Sequence, residues 1–331
     1  MKTIVTLLAL LILSGLVLAD DAFDQFEDSL SNLIDSAQYD QALAYLQENT
    51  SKFTQYDFEF SDYEAQIYLN QKEYKQAYQI WSTGHQKGFF YLLHPALSSY
   101  SEIKDDTAFL ALSQKDLALR QSANDSSLTI YEVALPENYS STSSYPLLLV
   151  LHGGRRTIEQ SKNKWQADWL KNNFITVYLQ SYRHYNYNKY GWASGDLRSR
   201  DEIAAIYNEL LATYNIDRTK ILVGGISAGG SMALDLALNN IIPINGLIGI
   251  CPGKPTTFAD TLVEQSKARG LKIFFVSGET DFYKEAQLQM TAVFDTKDLM
   301  YEHYIVEGLG HDYPENFPQW LERSCVFLLQ N

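Results

Sequence analysis

The sequence predicts a doubly wound α/β domain that follows an all-helical region. Between residues 20 and 120, apolar side chains recur at spacings of three and four, as in Phe26, Leu30 and Leu33, which is typical of amphipathic helices. From about residue 128, short apolar runs alternate with helical patterns. That alternation is typical of parallel strands joined by right-handed crossover helices.

Composition narrows the classes of protein that the chain can represent. With 331 residues, 46% hydrophobic and 20% charged, it lies in the globular range, which excludes disordered, collagen-like and disulfide-scaffold proteins. The net charge of −14 repels phosphate backbones, so no nucleic-acid partner is expected. Cys251 and Cys325 lie in apolar segments, and we expect two buried free thiols, with a disulfide bridge between them as the alternative. Neither has the neighbours of a nucleophile.

Residues 1–19 have the pattern of a cleaved signal peptide. Lys2 supplies the positive charge, residues 4–18 form an apolar run, and residues 17–19 end in a small-residue cleavage site. An uncleaved membrane anchor is the alternative, but the run is shorter than the roughly 20 residues that a spanning helix needs. We therefore expect a secreted, periplasmic or secretory-pathway protein with no stable membrane insertion.

The helical region, residues 20–120, contains an internal repeat. Residues 38–46 align with residues 73–81 at an offset of 35, and both segments carry a Tyr-x-x-Ala core. The spacing resembles that of tetratricopeptide helix pairs, whose period is about 34 residues. A degenerate third unit follows residues 88–90. The region is interpreted either as a surface for a protein partner or part of a substrate, or as a cap that packs on the second domain.

A polar segment, residues 121–127, is expected to be a linker to the catalytic domain, residues 128–331. In that domain the pattern predicts seven strands and six helices. The strands are expected over 128–135, 145–151, 174–180, 220–224, 245–251, 271–277 and 299–306, and the helices over 157–171, 201–214, 227–238, 258–268, 283–295 and 317–329. Ligands of such sheets bind beyond the carboxyl ends of the strands, so chemistry is expected there.

One motif at a strand end points to nucleophilic catalysis. The sequence from Gly225 to Gly229 reads Gly-Ile-Ser-Ala-Gly, directly follows an apolar strand and begins a helix. It resembles the nucleophile elbow of the α/β-hydrolases, Gly-x-Ser-x-Gly at a sharp strand-to-helix turn. The resemblance, which covers residues 128–331, implies that Ser227 is a nucleophile presented at the positive end of the following helix.

A serine nucleophile needs a base, and the base needs an acid that orients it. His311 follows the last strand, where this family places its histidine, and Asp281 follows the penultimate strand in a Gly-x-x-Asp turn. Glu279 is the alternative acid, whereas Asp312 adjoins His311 in the chain, where the two side chains diverge. The order Ser227, Asp281, His311 matches the order of the family.

The same resemblance implies donors for a developing oxyanion. A His-Gly-Gly turn, residues 152–154, follows an earlier strand at the place where the family builds half of its oxyanion hole. The expected donors are the backbone amides of Gly154 and Ala228, and the amide of Arg155 is the alternative.

An aromatic loop over residues 181–195 follows a further strand end. Its residues Tyr182, Tyr185 and Trp192 are candidates for substrate binding, and the alternative is that the loop only seals the top of the fold. A different segment, residues 201–230, which contains residues 215–218 and the elbow, resembles the branch of the family that contains esterases, polyhydroxybutyrate depolymerases and feruloyl esterases.

These features favour a secreted serine hydrolase that cleaves small-molecule or polymer-linked carboxylic esters. No metal-binding motif, phosphate loop or dinucleotide fingerprint occurs in the sequence, so neither a metal nor a cofactor is implied. The alternatives are a serine peptidase of the same fold, because the same triad cleaves amides, and a non-catalytic binding protein that uses the helical repeats.

Overall fold

The computed structural model describes residues 22–330, so the signal peptide expected over residues 1–19 lies outside the described residues. The described chain forms two compact units with a boundary between Arg120 and Gln121. No helix of the described part of the chain is both long enough and apolar enough to cross a membrane.

The first unit is helical, as its periodicity predicts. Its helices are α1 over residues 22–35, α2 (Tyr39–Asn49), α3 (Asp57–Asn70), α4 (Tyr74–Gln86) and α5 (Thr107–Ser126). The pair α1 and α2 recurs 35 residues later as α3 and α4, and the turn residues Ala37 and Lys72, also 35 apart, share the left-handed conformation with φ of 55° and 63°.

The degenerate third repeat expected after residues 88–90 has no α-helix at the position of the first helix of each pair. Residues 87–106, where that helix would lie, contain only turns and a short 3₁₀ helix, Ser98–Tyr100. The buried Asp116 of α5 holds this segment, because its carboxylate accepts hydrogen bonds from the amides of Tyr91 (2.6 Å) and Leu93 (3.0 Å). A side chain here replaces the backbone bonds that a helix would supply.

The segment expected to be a polar linker, residues 121–127, is helical for most of its length, because α5 continues through Ser126. Three hydrogen bonds within the second unit hold this end of the helix. Arg198 donates to the carbonyl oxygens of Asn124 (2.9 Å) and Ser127, and Asn124 accepts from the amide of His184 at 2.8 Å. Tertiary bonds therefore override the turn preference of the Ser, Asn and Asp residues.

The second unit is built on a seven-stranded sheet, with helices α6 to α12 along the same chain. The strands of this sheet are β1 (Ile130–Ala134), β2 (Tyr145–Leu151), β3 (Ile175–Gln180), β6 (Ile216–Ile226), β7 (Gly246–Ile250), β8 (Lys272–Gly278) and β9 (Tyr301–Val306). The strand order is β1-β3-β2-β6-β7-β8-β9, in which β1 alone is antiparallel to its neighbour. The helices are α6 (Ile158–Lys164), α7 (Asp168–Asn173), α8 (Leu197–Thr213), α9 (Ala228–Leu238), α10 (Asp260–Ala268), α11 (Lys284–Lys297) and α12 (Phe317–Leu329).

Alternating residues of the buried strands fill two separate cores. In β2, Leu147, Leu149 and Leu151 belong to one core, and Leu148 and Val150 belong to the other. Strands buried on both faces are continuous apolar runs, which is why the sequence shows runs here rather than a polar alternation. Helices α8 to α11 contribute side chains to the first core, and α6, α7 and α12 contribute to the second.

Two elements differ from the expected pattern. The single helix expected over 157–171 is broken into α6 and α7 at Trp165, whose ring is fully buried against Gly224, at which a Cβ would lie 2.5 Å from the ring. The aromatic loop contains an unexpected two-stranded hairpin of β4 (His184–Asn186) and β5 (Lys189–Tyr190). Tyr190 also exchanges backbone hydrogen bonds with Arg156, which attaches the hairpin to the turn after β2.

Candidate active site

The elbow between β6 and α9 places Ser227 in a conformation that few L-residues adopt. Its backbone has φ of 54° and ψ of −121°. The Ser227 amide donates to the carbonyl oxygen of Ile250 at 2.9 Å, which fixes the turn against the end of β7. A non-glycine residue with positive φ costs about 1–3 kcal/mol, and such strain is concentrated at functional sites. The side chain of Ser227 is half-buried at the carboxyl edge of the sheet.

The glycines of the motif leave room for this turn. A Cβ on Gly225 would lie 2.6 Å from the backbone of Gly229, and a Cβ on Gly229 would lie 2.3 Å from the carbonyl oxygens of both Leu151 and His152. Because all these obstacles are backbone atoms, no rotation of a side chain can relieve them. Glycine is required at both positions by close backbone approach.

We expect Gly229→Ala to destabilise the fold by about 3 kcal/mol, at the upper end of overpacking costs, since β2 and α9 must separate. Urea unfolding measures the loss as a lower midpoint. Gly154→Ala is the matched control for folding, because its Cβ would lie no closer than 3.6 Å to any neighbour. Equal midpoints for the two variants would contradict this description of the elbow.

Asp281 and His311 form a hydrogen-bonded pair at the same edge. His311 Nδ1 lies 2.8 Å from Asp281 Oδ1, and the carboxylate is fully buried whereas the imidazole is 20% exposed. Ser227, Asp281 and His311 follow β6, β8 and β9, and these strands lie in the sheet in the order β6-β7-β8-β9. Each of the three residues follows the carboxyl end of its strand, so all three lie at the same edge of the sheet.

The surroundings of Asp281 keep its carboxylate ionised. Burial acts to raise the pKa, but hydrogen bonds from the amide of Tyr283 (2.9 Å), from Gln287 Nε2 (2.9 Å) and from His311 outweigh burial and lower it. An ionised acid bonded to Nδ1 fixes the imidazole tautomer that leaves Nε2 free to accept a proton.

The alternative acids lie elsewhere. Glu279 accepts a hydrogen bond from the amide of Gly308 at 2.9 Å, and Asp312 accepts one from the amide of Tyr313 at 2.8 Å. The carboxylate that contacts His311 is that of Asp281.

The turn after β2 faces the start of α9. A Cβ built on Gly154 would lie 3.6 Å from the Cβ of Ala228, so the two predicted oxyanion donors belong to neighbouring residues in space. The next residue, Arg155, has φ of 57°, which marks a tight turn.

His152 supports this turn. It is fully buried, its Nδ1 donates to the carbonyl oxygen of Gly153 (2.7 Å), and its Nε2 accepts from the amide of Ser181 (3.1 Å). Burial lowers the pKa of His152 to about 4. The neutral ring therefore joins the turn after β2 to the end of β3.

The three aromatic candidates have different environments. Tyr182 is buried, its hydroxyl donates to Asp196 (2.9 Å), and Arg198 covers its ring at 4.0 Å. Trp192 is buried against His152.

Tyr185 is half-buried, and its ring packs against Gly154 and Gly191. A Cβ built on these glycines would lie 3.6 Å and 1.9 Å from the ring. Tyr185 thus lies beside the predicted oxyanion turn, whereas Tyr182 and Trp192 stabilise the loop from within.

The sequence interpretation missed two aromatic residues beside His311. Phe282 is 69% exposed, and its ring centroid lies 4.1 Å from that of His311. Tyr283 meets the same imidazole edge-on at 5.5 Å. The signal that could have found them is their position directly after Asp281.

Cys251 was also misjudged. Both cysteines are free and buried, as expected, but Cys251 directly follows β7, and its Sγ lies beside Asp281 and His311. The sequence interpretation missed these two neighbours, although they do not activate the thiol. Burial and the charge of Asp281 raise its pKa to about 12, so the thiol stays protonated.

Comparison with solved structures finds similar folds at low sequence identity. A protein of uncharacterised function from Bacillus cereus ATCC 10987 is 20% identical, covers 92% of this chain and 98% of its own, and gives a TM-score of 0.52. A candidate dipeptidyl aminopeptidase IV from Bacteroides ovatus ATCC 8483 is 15% identical over 63% of this chain and 34% of its own, with a TM-score of 0.50. The esterase PE8 is 16% identical over 61% of this chain and 98% of its own, with a TM-score of 0.47.

No protein-family model and no curated protein matches the sequence. The matches to the Bacillus cereus and Bacteroides ovatus structures are similarities of fold. The chain has an α/β-hydrolase fold with a helical N-terminal region.

Proposed function

We propose that the protein is a serine hydrolase that cleaves carboxylic esters through an acyl-enzyme intermediate. The observation that supports this most strongly is the buried Asp281 carboxylate bonded to His311 Nδ1 at the sheet edge that also carries the strained Ser227 elbow. A base oriented by an ionised acid beside a serine on a sharp turn is the arrangement that nucleophilic catalysis requires.

In the proposed reaction, His311 Nε2 removes the Ser227 hydroxyl proton as Oγ attacks the ester carbonyl carbon. The tetrahedral oxyanion accepts hydrogen bonds from the amides of Gly154 and Ala228. The C–O bond to the alcohol then breaks, and His311 returns the proton to the departing alkoxide. Water, activated by the same imidazole, attacks the acyl-enzyme, and the acid leaves as Ser227 regains its proton.

The aromatic residues at the site suit an ester that carries an apolar or aromatic group. Tyr185 beside Gly154 and Phe282 beside His311 offer ring faces next to the reacting groups. Residues 252–257, after β7, are too few to form a large lid, which favours soluble or short-chain esters over an oil interface. Export by the signal peptide expected over residues 1–19 is part of the proposal.

Hydrolysis of p-nitrophenyl esters from acetate to palmitate tests the proposal. We expect turnover of the short-chain esters and a decline toward palmitate, with the matched p-nitroanilides cleaved far more slowly. Faster cleavage of the anilides would favour a serine peptidase. No turnover of any member of either series would contradict the proposed activity and favour a binding protein.

A further inference from the structure

Three types of metal-ligating side chain lie together at this edge of the sheet: a thiol, a carboxylate and an imidazole, from Cys251, Asp281 and His311. The Sγ of Cys251, a carboxylate oxygen of Asp281 and a ring nitrogen of His311 all lie within 4.8 Å of one another. Cys251 and the Asp281 side chain are buried, and the partly exposed His311 connects the group to the surface. Their strands, β7, β8 and β9, are consecutive in the sheet, so the arrangement is fixed by the fold.

These ligands match the preferences of a borderline-soft divalent cation. Zinc takes thiolate, imidazole and carboxylate ligands at about 2.0–2.3 Å, so tetrahedral ligand atoms lie roughly 3.3–3.8 Å apart. The three atoms lie within 4.8 Å of one another, and His311 Nδ1 lies 2.8 Å from Asp281 Oδ1, so changes of roughly 0.5–1.5 Å in their separations reach that spacing. Magnesium and calcium prefer several oxygen ligands, of which this group offers one side chain, Asp281.

We propose that Zn²⁺, or a cation of the same class, binds Cys251, Asp281 and His311 and thereby inhibits the hydrolase, an inference whose inhibitory part rests on the proposed function. A water molecule completes the fourth position, because the chain supplies three ligands. Binding releases one proton in total: the Cys251 thiol loses its proton, whereas the proton on His311 Nδ1 is replaced by one on Nε2 and the ring stays neutral. The cation takes the place of the hydrogen bond that now joins His311 to Asp281.

Inhibition follows from the tautomer of His311. Nδ1 is the ring nitrogen that faces Asp281, and it becomes the metal ligand. The neutral ring then carries its proton on Nε2, so Nε2 cannot accept a proton from Ser227. The cation removes the base from the reaction without touching the nucleophile.

Cys251 is the residue that distinguishes this site from an ordinary catalytic pair. Its Sγ also lies 3.5 Å from the carbonyl oxygen of Asp312 and 3.9 Å from that of Gly310, both beside His311 in the chain. The thiol therefore points at the loop that carries the histidine. Cys325, fully buried in α12, is the matched control, because it is a buried free cysteine that is not part of the group formed by Cys251, Asp281 and His311.

The test uses the full chain with Zn²⁺ in equilibrium dialysis and with Cd²⁺ in absorption spectroscopy, which detects the metal–thiolate band. We expect one Zn²⁺ per chain, a Cd–thiolate band, and at least a tenfold loss of ester hydrolysis that a chelator reverses. Cys251→Ser should weaken binding at least tenfold and lose the band, whereas Cys325→Ser should behave as the wild type. Inhibition is compared with each variant's own metal-free rate.

The outcomes separate the site from the activity, because dialysis and the absorption band need no turnover. Absence of Zn²⁺ binding, or equal binding by Cys251→Ser and the wild type, would overturn the site. Binding that leaves ester hydrolysis undiminished would overturn the inhibition. Zinc binding lost in Cys251→Ser, in a protein that hydrolyses no ester, would support the site while refuting the proposed function.

Discussion

Replacing Ser227 by Ala is expected to reduce kcat for a short-chain ester by about 10⁴- to 10⁶-fold. Without the hydroxyl no acyl-enzyme forms, and only the oxyanion donors and substrate binding act on the ester. The Ala side chain has the same Cβ as Ser, so the strained elbow at φ of 54° should persist. Steady-state rates, with circular dichroism to confirm the fold, measure the effect.

Ser231→Ala is the matched control for this variant. Ser231 lies one turn further along α9, and its hydroxyl donates to the carbonyl oxygen of Ser227 at 3.0 Å. We expect it to retain activity within a few-fold, because its hydroxyl bonds to the backbone of Ser227 and not to the reacting side chain. A Ser227→Ala variant as active as Ser231→Ala would remove Ser227 from the mechanism.

The second large effect is expected at Asp281. Asn has almost the same shape, but one of its two terminal atoms is a donor, whereas both oxygens of Asp281 accept hydrogen bonds. If the amide nitrogen faces His311, it favours the imidazole tautomer with the proton on Nε2, which cannot act as the base. We expect Asp281→Asn to lower kcat by about 10⁴-fold, with little change in KM.

Gln287 makes this prediction more specific. Its Nε2 donates both to Asp281 Oδ2 and to the carbonyl oxygen of Pro252 (3.1 Å). In the Asp281→Asn variant, an amide nitrogen at the Oδ2 position would face the Gln287 donor, and one at the Oδ1 position would face the Tyr283 amide, so either orientation loses an accepted hydrogen bond. The Oδ1 orientation also places a donor against His311 and disables it as the base. Glu279→Gln is the control and should keep nearly full activity. Loss of activity in Glu279→Gln, with Asp281→Asn unaffected, would reassign the acid.

The sequence predicted the sheet well because buried parallel strands must be apolar runs, and the crossover segments between them had helical periodicity. Because functional residues of such sheets gather at the carboxyl ends, Ser227, Asp281 and His311 could be placed at one edge before any coordinates. The Asp281–His311 bond agrees with that reasoning.

Features that depend on tertiary contacts could not be predicted from the sequence. Residues 121–127 were expected to form a linker because their Ser, Asn and Asp residues prefer turns, but α5 continues through Ser126, where hydrogen bonds from Arg198 and from the His184 amide hold the chain. No periodicity gives the direction of a loop side chain, so Tyr185 could not be separated from Tyr182 and Trp192. Cys251 lies beside Asp281 and His311 because β7, β8 and β9 are adjacent in the sheet, and the residues next to Cys251 in the sequence do not indicate this.

The most direct test of the central claim is to treat the protein with a fluorophosphonate, which reacts with activated serine hydroxyls, and to map the adduct by peptide mass spectrometry. The proposed mechanism predicts one adduct on Ser227, strongly reduced labelling in Asp281→Asn, and none at that position in Ser227→Ala. An intact protein that takes up no label at Ser227, or takes up equal label in Asp281→Asn, would contradict the claim that Asp281 and His311 activate this serine.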